Sequence, residues 1–276
     1  MNMNGSIGHS ALLTVVIPTK NEAANIESAI RAFEGTDGIE IVVVDNHSPD
    51  ATVEIARKCG AKVFTQGPER SAQRNRGARE ASAPWIMFLD ADMIVPRETV
   101  AEILDKISSG DVDALWVRET RVGKGLRAKA RNFERSFYDG TVVDAVRVVR
   151  KSLFLELGGY DEELLTANED WDLDIRLKAM GARIALTDGA LVHNENMLSL
   201  ATVLKKKRYY GKTFATYRKK WQGNADVRKQ FSFTYRYFGV FFENGKWKKV
   251  LRHPILFATM FFERVLVGVV YIMGRR

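Results

Sequence analysis

Hydrophobic positions in the first 110 residues fall into short unbroken runs separated by longer stretches of helical spacing. The runs are 12–18 (LLTVVIP), Ile39–Asp45 (IEIVVVD), Lys62–Thr65 and 85–89 (WIMFL); the helical stretches are 22–33, 51–59, 71–82 and 96–108. Continuous apolar runs predict strands buried on both faces. Their alternation with helices predicts strand–helix–strand units and a doubly wound, mostly parallel sheet. Past Asp113 the pattern loosens: 113–118, 142–149 and 183–186 read as strands, 125–138 as a basic helix, and an acidic start at Asn168 opens a helix capped by Gly181. The longest apolar stretch, 254–274, could reach across a bilayer, but Glu263 and Arg264 sit at its centre. A charge there costs about 2.5–3.5 kcal/mol on insertion scales, which predicts a helix lying on or partly in a surface instead of spanning.

In open α/β sheets, ligands bind beyond the carboxyl ends of the strands. The first strand ends in Pro18-Thr19-Lys20-Asn21-Glu22, the second in Asp45-Asn46, and the run at 85–89 leads into Asp90-Ala91-Asp92. Carboxylates at i and i+2 of an extended chain project on the same side, so Asp90 and Asp92 can grip one ligand in two ways. Asp90 suits ribose hydroxyls, and Asp92 suits a divalent ion, because Mg²⁺ and Mn²⁺ join one or two carboxylates to a substrate's phosphates. The alternative is that the pair caps the helix that follows.

Composition adds two constraints. The 276 residues are 46% hydrophobic, enough for a substantial core and one large or two modest domains. The net charge of +8 divides unevenly, because residues 201–276 hold 18 basic and 3 acidic side chains while the remainder is net acidic. Seventeen of the 28 aromatic residues fall in that same quarter, more than a solvated basic face needs. Basic and aromatic residues together suit an anionic lipid surface; aromatic core or dimer packing and nucleic-acid binding are the alternatives, and nucleic acid is not expected. Cys59 is the single cysteine and excludes a disulfide scaffold. The opening residues lack a basic and an apolar signal region, so the expected location is the cytoplasm, peripheral on the inner face of the membrane.

The ordered set Ile17-Pro18-Thr19-Lys20-Asn21-Glu22, Val44-Asp45-Asn46 with Ser48 and Asp50, Arg74-Asn75-Arg76-Gly77, Asp90-Ala91-Asp92, Gly158-Gly159-Tyr160-Asp161-Glu162 and Glu169-Asp170-Trp171-Asp172-Leu173 with Arg176 resembles the family 2 glycosyltransferases across about residues 12–195. The resemblance implies a GT-A, Rossmann-like α/β domain over 10–200 and leaves 201–276 as a helical, membrane-associating extension. It implies an inverting transfer from a nucleotide-diphosphate sugar, UDP-linked, to a polyprenyl-carried or growing glycan acceptor, assisted by Mn²⁺ or Mg²⁺. Pro18, Thr19, Glu22, Asp45, Arg70, Arg74, Asn75, Asp90 and Ala91 would hold the donor, and Asp92 with His193 the metal. Asp170 would be the general base with Glu169 beside it, held ionised at a helix start. Gly158, Gly159 and Trp171 would face the acceptor, Trp171 alternatively packing in the core. Arg76 and Arg79 fit donor contact or a solvated basic face equally. An inverting displacement needs a base opposite the departing diphosphate, the demand that inverting glycosidases meet with a carboxylate. A sugar nucleotidyltransferase is the rival enzyme, disfavoured because no glycine follows the first strand; a non-catalytic membrane- or glycan-binding relative is the other rival, and a homo-oligomer is compatible with either.

Overall fold

A computed structural model describes residues 11–121, 123–164, 168–193, 209 and 211–273, with side chains to residue 266. Its centre is an eight-stranded sheet of order β3-β2-β1-β4-β7-β6-β8-β5. The strands are β1 (Leu13–Thr19), β2 (Ile39–Asp45), β3 (Lys62–Thr65), β4 (Trp85–Phe88), β5 (Met93–Ile94), β6 (Ala114–Arg121), β7 (Val146–Arg150) and β8 (Ile184–His193). The first four pair in parallel, as the unbroken apolar runs predict, and every residue of β1 is buried.

The other half makes this mostly parallel sheet a mixed one, with two of its eight strands reversed. β7 enters antiparallel between β4 and β6, and β5 pairs antiparallel with β8, so only β6 and β8 continue the parallel direction. The reversal brings the start of β7 to the same rim as the ends of β1, β2, β4, β6 and β8. Two strands are longer than their apolar cores: β6 runs on to Arg121, and β8 reaches His193 through residues whose polar side chains broke the hydrophobic signal. The first helix, α1 (Ile26–Arg31), begins four residues late because Glu22–Asn25 forms a turn, with the Glu22 amide donating to Thr52 Oγ1 at 2.8 Å.

Helices α2 (Thr52–Lys58), α3 (Arg70–Glu80) and α4 (Arg97–Ser108) cover the parallel half. α3 lies close against the sheet because Gly77 leaves room: a Cβ there would meet Val16 Cγ1 at 2.3 Å and Val44 Cγ2 at 3.2 Å. Further along, α5 (Gly125–Arg135), α6 (Lys151–Glu156) and α7 (Asn168–Ala179) complete the domain.

The C-terminal part is helical as expected, in α8 (Phe214–Lys220), α9 (Ala225–Phe231), α10 (Trp247–Arg252) and α11 (Pro254–Met273), with tight turns over 235–245. The basic run Lys205–Arg208 lies outside the described residues, as does Gly274. The extension is built into the domain at two places. Tyr217 and Val227 pack with Leu164 and Ile175 of the α7 region, and Val240, Phe241 and Met260 pack with Ala130, Phe133 and Phe137 around α5. Buried Asp172 on α7 accepts from Trp221 Nε1 at 2.8 Å and lies 2.7 Å from Lys220 Nζ. The charges in the middle of α11 are likewise met inside the protein: Glu263 pairs with Arg127 at 2.9 Å and Arg264 with Glu134 at 2.8 Å, both on α5. No helix among the described residues is long and apolar enough to cross a membrane.

The space at Gly77 gives a test. Gly77→Ala gains about 1 kcal/mol of helix propensity, yet overpacking against the rigid Val16 strand costs about 1–3 kcal/mol. Urea denaturation is expected to show a net loss of stability.

Candidate active site

The site forms where the parallel strands end. Asp90 lies two residues past the end of β4, and its Oδ1 accepts from Arg74 Nη2 at 3.1 Å and lies 3.5 Å from Arg70 Nη1. Its other oxygen lies 3.6 Å from Arg147 Nη1. Burial alone would raise the Asp90 pKa, but Arg70, Arg74 and Arg147 outweigh it and hold the carboxyl far below its usual range. Arg74 is 1% exposed, on the inner face of α3. Its second nitrogen, Nη1, donates to Asp170 Oδ1 at 3.0 Å and lies 3.6 Å from Glu169 Oε1. One guanidinium thus joins the Asp90-Ala91-Asp92 segment to the start of α7, 96 positions away from Arg74 in sequence at Asp170.

Glu169 is fully buried, and among the described residues neither of its carboxylate oxygens has a hydrogen-bond partner. Burial and the neighbouring Asp170 charge push its pKa up to about 8 against the pull of Arg74. Burial thus favours its neutral form, while Asp170 beside it has a charge-assisted bond to Arg74.

A second branch runs from Asp90 through Arg147. That arginine is buried between Asp90 and Glu119, whose Oε2 lies 3.7 Å away. Glu119 faces His193 Nδ1 at 3.1 Å, and His193 Nε2 faces Asp92 Oδ2 at 3.0 Å. Burial lowers the histidine pKa, but the two carboxylates prevail and raise it to about 9. Burial would raise the Glu119 pKa, but His193, Arg135 and Arg147 pull it down to about 2. The pairing of β5 with β8 sets Met93 opposite His193 and so brings Asp92 alongside the imidazole. Burial and the nearby Asp92 and Asp90 charges raise the pKa of Glu22, which places the end of β1 in the same field.

Carboxylate oxygen and imidazole nitrogen are acceptable donors for Mn²⁺. Asp92 and His193 present one of each, and the Asp92 side chain is 35% exposed. Among the described residues no group of three or more His, Cys, Asp or Glu side chains is gathered for a metal, so an ion held here would take its remaining oxygens from a ligand, as Mg²⁺ and Mn²⁺ do with phosphates.

Several expected site residues do other work. Asn75 is used up by the 158–162 loop: its Nδ2 donates to Tyr160 O at 2.9 Å and Glu162 Oε1 at 2.8 Å, and its Oδ1 accepts from the Tyr160 amide at 2.8 Å. Gly159 is small for the same reason, since a Cβ would fall 2.5 Å from Asn75 Oδ1, and Gly158 lies at the turn after α6 with open space where a Cβ would be. Trp171 takes the core alternative, its ring 6.2 Å from both Tyr217 and Phe231. Arg76 pairs with Glu80 at 2.7 Å across one helical turn. Pro18 and Ala91 are buried, and Ala91 belongs to the hydrophobic core. Asp45 is 1% exposed and accepts from Thr19 Oγ1 at 3.1 Å, the Ser48 amide at 2.7 Å and Ser48 Oγ at 2.6 Å. A carboxylate has about four acceptor positions, so it organises the mouth of the site with one left over.

Three contributors escaped sequence reasoning. Arg147 stands on β7 as a lone charge between Val146 and Val148, a signal that alternation with buried residues could have revealed, whereas Glu119 sits among Arg118, Thr120 and Arg121, where nothing singles it out. Gln73 donates from buried Nε2 to Thr19 O at 2.9 Å and Val44 O at 2.6 Å, tying the ends of β1 and β2 to α3; nothing in a lone glutamine marks that role.

With this geometry in place, comparison with known proteins identifies the lineage. The sequence profile described as "Glycosyl transferase family 2" matches residues 14–152, half of the chain. The chain belongs to this family. Among curated relatives, the succinoglycan biosynthesis protein ExoA of Rhizobium meliloti (strain 1021) is 29% identical over 199 residues, 63% of this chain and 60% of that protein. The dolichol-phosphate mannosyltransferase of Pyrococcus furiosus is 33% identical over 122 residues, 41% of this chain and 34% of its own length. Each of these alignments therefore covers less than two thirds of the relative. Among solved structures, the mannosyltransferase PcManGT from Pyrobaculum calidifontis in complex with GDP-Man and Mn²⁺ superposes with a TM-score of 0.61 at 18% identity, covering 97% of this chain and 80% of that one. S. aureus TarS 1–349 in complex with UDP-GlcNAc gives 0.54 at 22% identity, covering 89% and 78%. At such identities the likeness is one of fold, and it is the GT-A fold.

The buried acid offers a pH test. A carboxyl whose pKa is raised by folding costs stability as pH climbs from its unfolded value toward its folded one. Glu169→Gln removes that cost, so the variant should gain on the wild type by about 1.4 kcal/mol per pH unit between about 4.5 and 8. Urea midpoints measured across that range will show a widening gap; parallel curves would contradict the assignment.

Proposed function

We propose that the protein transfers a sugar from a nucleotide-diphosphate donor, UDP-linked, to a hydroxyl or phosphate on a lipid-carried or growing glycan acceptor, with inversion at the anomeric carbon. The observation that carries this reading is the Arg74 bridge, which fixes Asp170 relative to Asp90 and leaves both partly exposed at the same rim. The donors and Mn²⁺ named for the structural neighbours support a nucleotide-sugar ligand.

Asp170 takes the proton from the acceptor hydroxyl as that oxygen attacks the sugar, opposite the leaving diphosphate. Its bond to Arg74 keeps it aimed, and Glu169 lies behind it with its carboxyl pushed by burial toward the neutral form. Arg70, 39% exposed, faces the place where a diphosphate would sit beside Asp90. Asp92 and His193 would hold a divalent ion, Mn²⁺ or Mg²⁺, which when bound supplies charge neutralisation of the leaving diphosphate. The inward-turned charges of α11 support a peripheral position on the inner face of a membrane, where a polyprenyl-carried acceptor would be met.

Two substitutions separate the roles. Asp170→Asn should retain donor affinity and lose about 10²–10⁴-fold in kcat, the usual weight of general-base catalysis; near-full turnover would move the base elsewhere. Asp92→Ala should weaken donor binding in titration calorimetry only when Mn²⁺ is present, and an equal loss without the ion would contradict a metal role.

A further inference from the structure

The outward face of the last helix is apolar where a surface helix is ordinarily polar. Ile255, Phe262 and Leu266 are spaced seven and four positions apart, which sets them on one line of α11, and they are 69%, 69% and 47% exposed. Glu263 and Arg264 point the other way, into their pairs with Arg127 and Glu134. Nine of the twelve large hydrophobic side chains exposed among the described residues fall between 233 and 266. Some of them touch: Phe233 stacks on Tyr237 with ring centres 4.5 Å apart, and Tyr237 and Phe238 both reach Phe261, which precedes Phe262 on α11, within 6.4 Å. Phe242, Trp247 and Leu251 continue the exposed set toward α10.

The rim of this surface is cationic. Lys248 and Arg252 are exposed on α10, Lys124 is exposed just before α5, and Lys129 is exposed on α5, the helix that pairs with α11. The acidic residues of the described extension, Asp226, Glu243 and Glu263, each face a Lys or Arg.

We propose that this face docks on the surface of an anionic phospholipid bilayer, α11 lying in the headgroup plane with Ile255, Phe262 and Leu266 directed into the acyl boundary. Charge selects lipid over a second copy of the chain, since pairing two such faces would press together two segments that each carry 18 basic against 3 acidic residues. Anionic headgroups instead attract each Lys and Arg near the surface. The assignment rests on the reading of the protein as a peripheral transferase with a lipid-carried acceptor, and it names the surface and the lipid class that such a position requires.

Co-sedimentation of the full chain with phosphatidylcholine vesicles, with and without phosphatidylglycerol, tests it. The wild type should partition onto phosphatidylglycerol vesicles and be released by salt. The triple variant Ile255→Ser, Phe262→Ser, Leu266→Ser should lose more than about tenfold in partitioning, as removal of three exposed apolar groups demands. Lys248→Glu with Arg252→Glu should lose roughly tenfold and much of the preference for phosphatidylglycerol. A wild type that stays in the supernatant, or a triple variant that partitions like the wild type, overturns the docking face. So does a wild-type dimer in light scattering that the triple variant converts to monomer. Quenching of wild-type tryptophan emission by brominated phosphatidylglycerol, expected through Trp247, provides a readout that needs no variant to fold; its absence also overturns the proposal. Thermal stabilisation by UDP-sugar with Mn²⁺ is read in parallel. Vesicle binding without donor stabilisation supports the face while contradicting the transferase reading, and donor stabilisation without vesicle binding does the reverse.

Discussion

Everything in the site depends on a guanidinium that water does not reach. Arg74 is fully buried on a helix held tight to the sheet, and a buried cation persists only when anions surround it. Its partners come from the end of β4 and the start of α7, segments that have no other reason to adopt a fixed spacing. The fork geometry of arginine allows each terminal nitrogen its own carboxylate, which a lysine's point charge could not do. The arrangement therefore sets where Asp170 sits relative to Asp90 before any ligand arrives, and preorganisation of this kind is the larger part of what an active site contributes.

The same logic extends outward. Arg147 repeats the bridge on the other side of Asp90, reaching Glu119, and Glu119 orients His193 toward Asp92. Alternating cations and anions run without a break from the start of α7 to the end of β8. The extension holds both ends of this chain of charges: Asp172, two positions after Asp170, is anchored by Trp221 and Lys220, and α5, which bears Arg135 beside Glu119, is paired through Arg127 and Glu134 to α11. The last quarter of the sequence is thus part of the scaffold of the site as well as a surface of its own.

Much of this was legible in the residues. The strands β1, β2 and β4 announced themselves as largely apolar runs because layers on either side cover them, while the edge strand β3 is partly exposed, and Asp90, Asp92, Glu169 and Asp170 stood out as carboxylates at element ends. What stayed hidden was long-range pairing. Asn75 and Gly159 follow the family's pattern for a reason no spacing reveals, since they meet only because the 158–162 loop folds onto α3. The antiparallel insertion of β7 depends on a turn over 141–145 with no strong turn signature, and without that reversal Arg147 would not lie at the rim. Trp171 could not be assigned from its neighbours in sequence, because its partners Tyr217 and Phe231 lie in a segment that resembles nothing specific.

A double-mutant cycle on stability addresses the central claim without knowledge of donor or acceptor. Urea denaturation of the wild type, Arg74→Gln, Asp170→Asn and the double variant yields the coupling between the two side chains. A coupling of about 1–3 kcal/mol is expected for partners in one buried network, whereas additivity within about 0.5 kcal/mol would mean that Arg74 does not hold the base and would contradict the account.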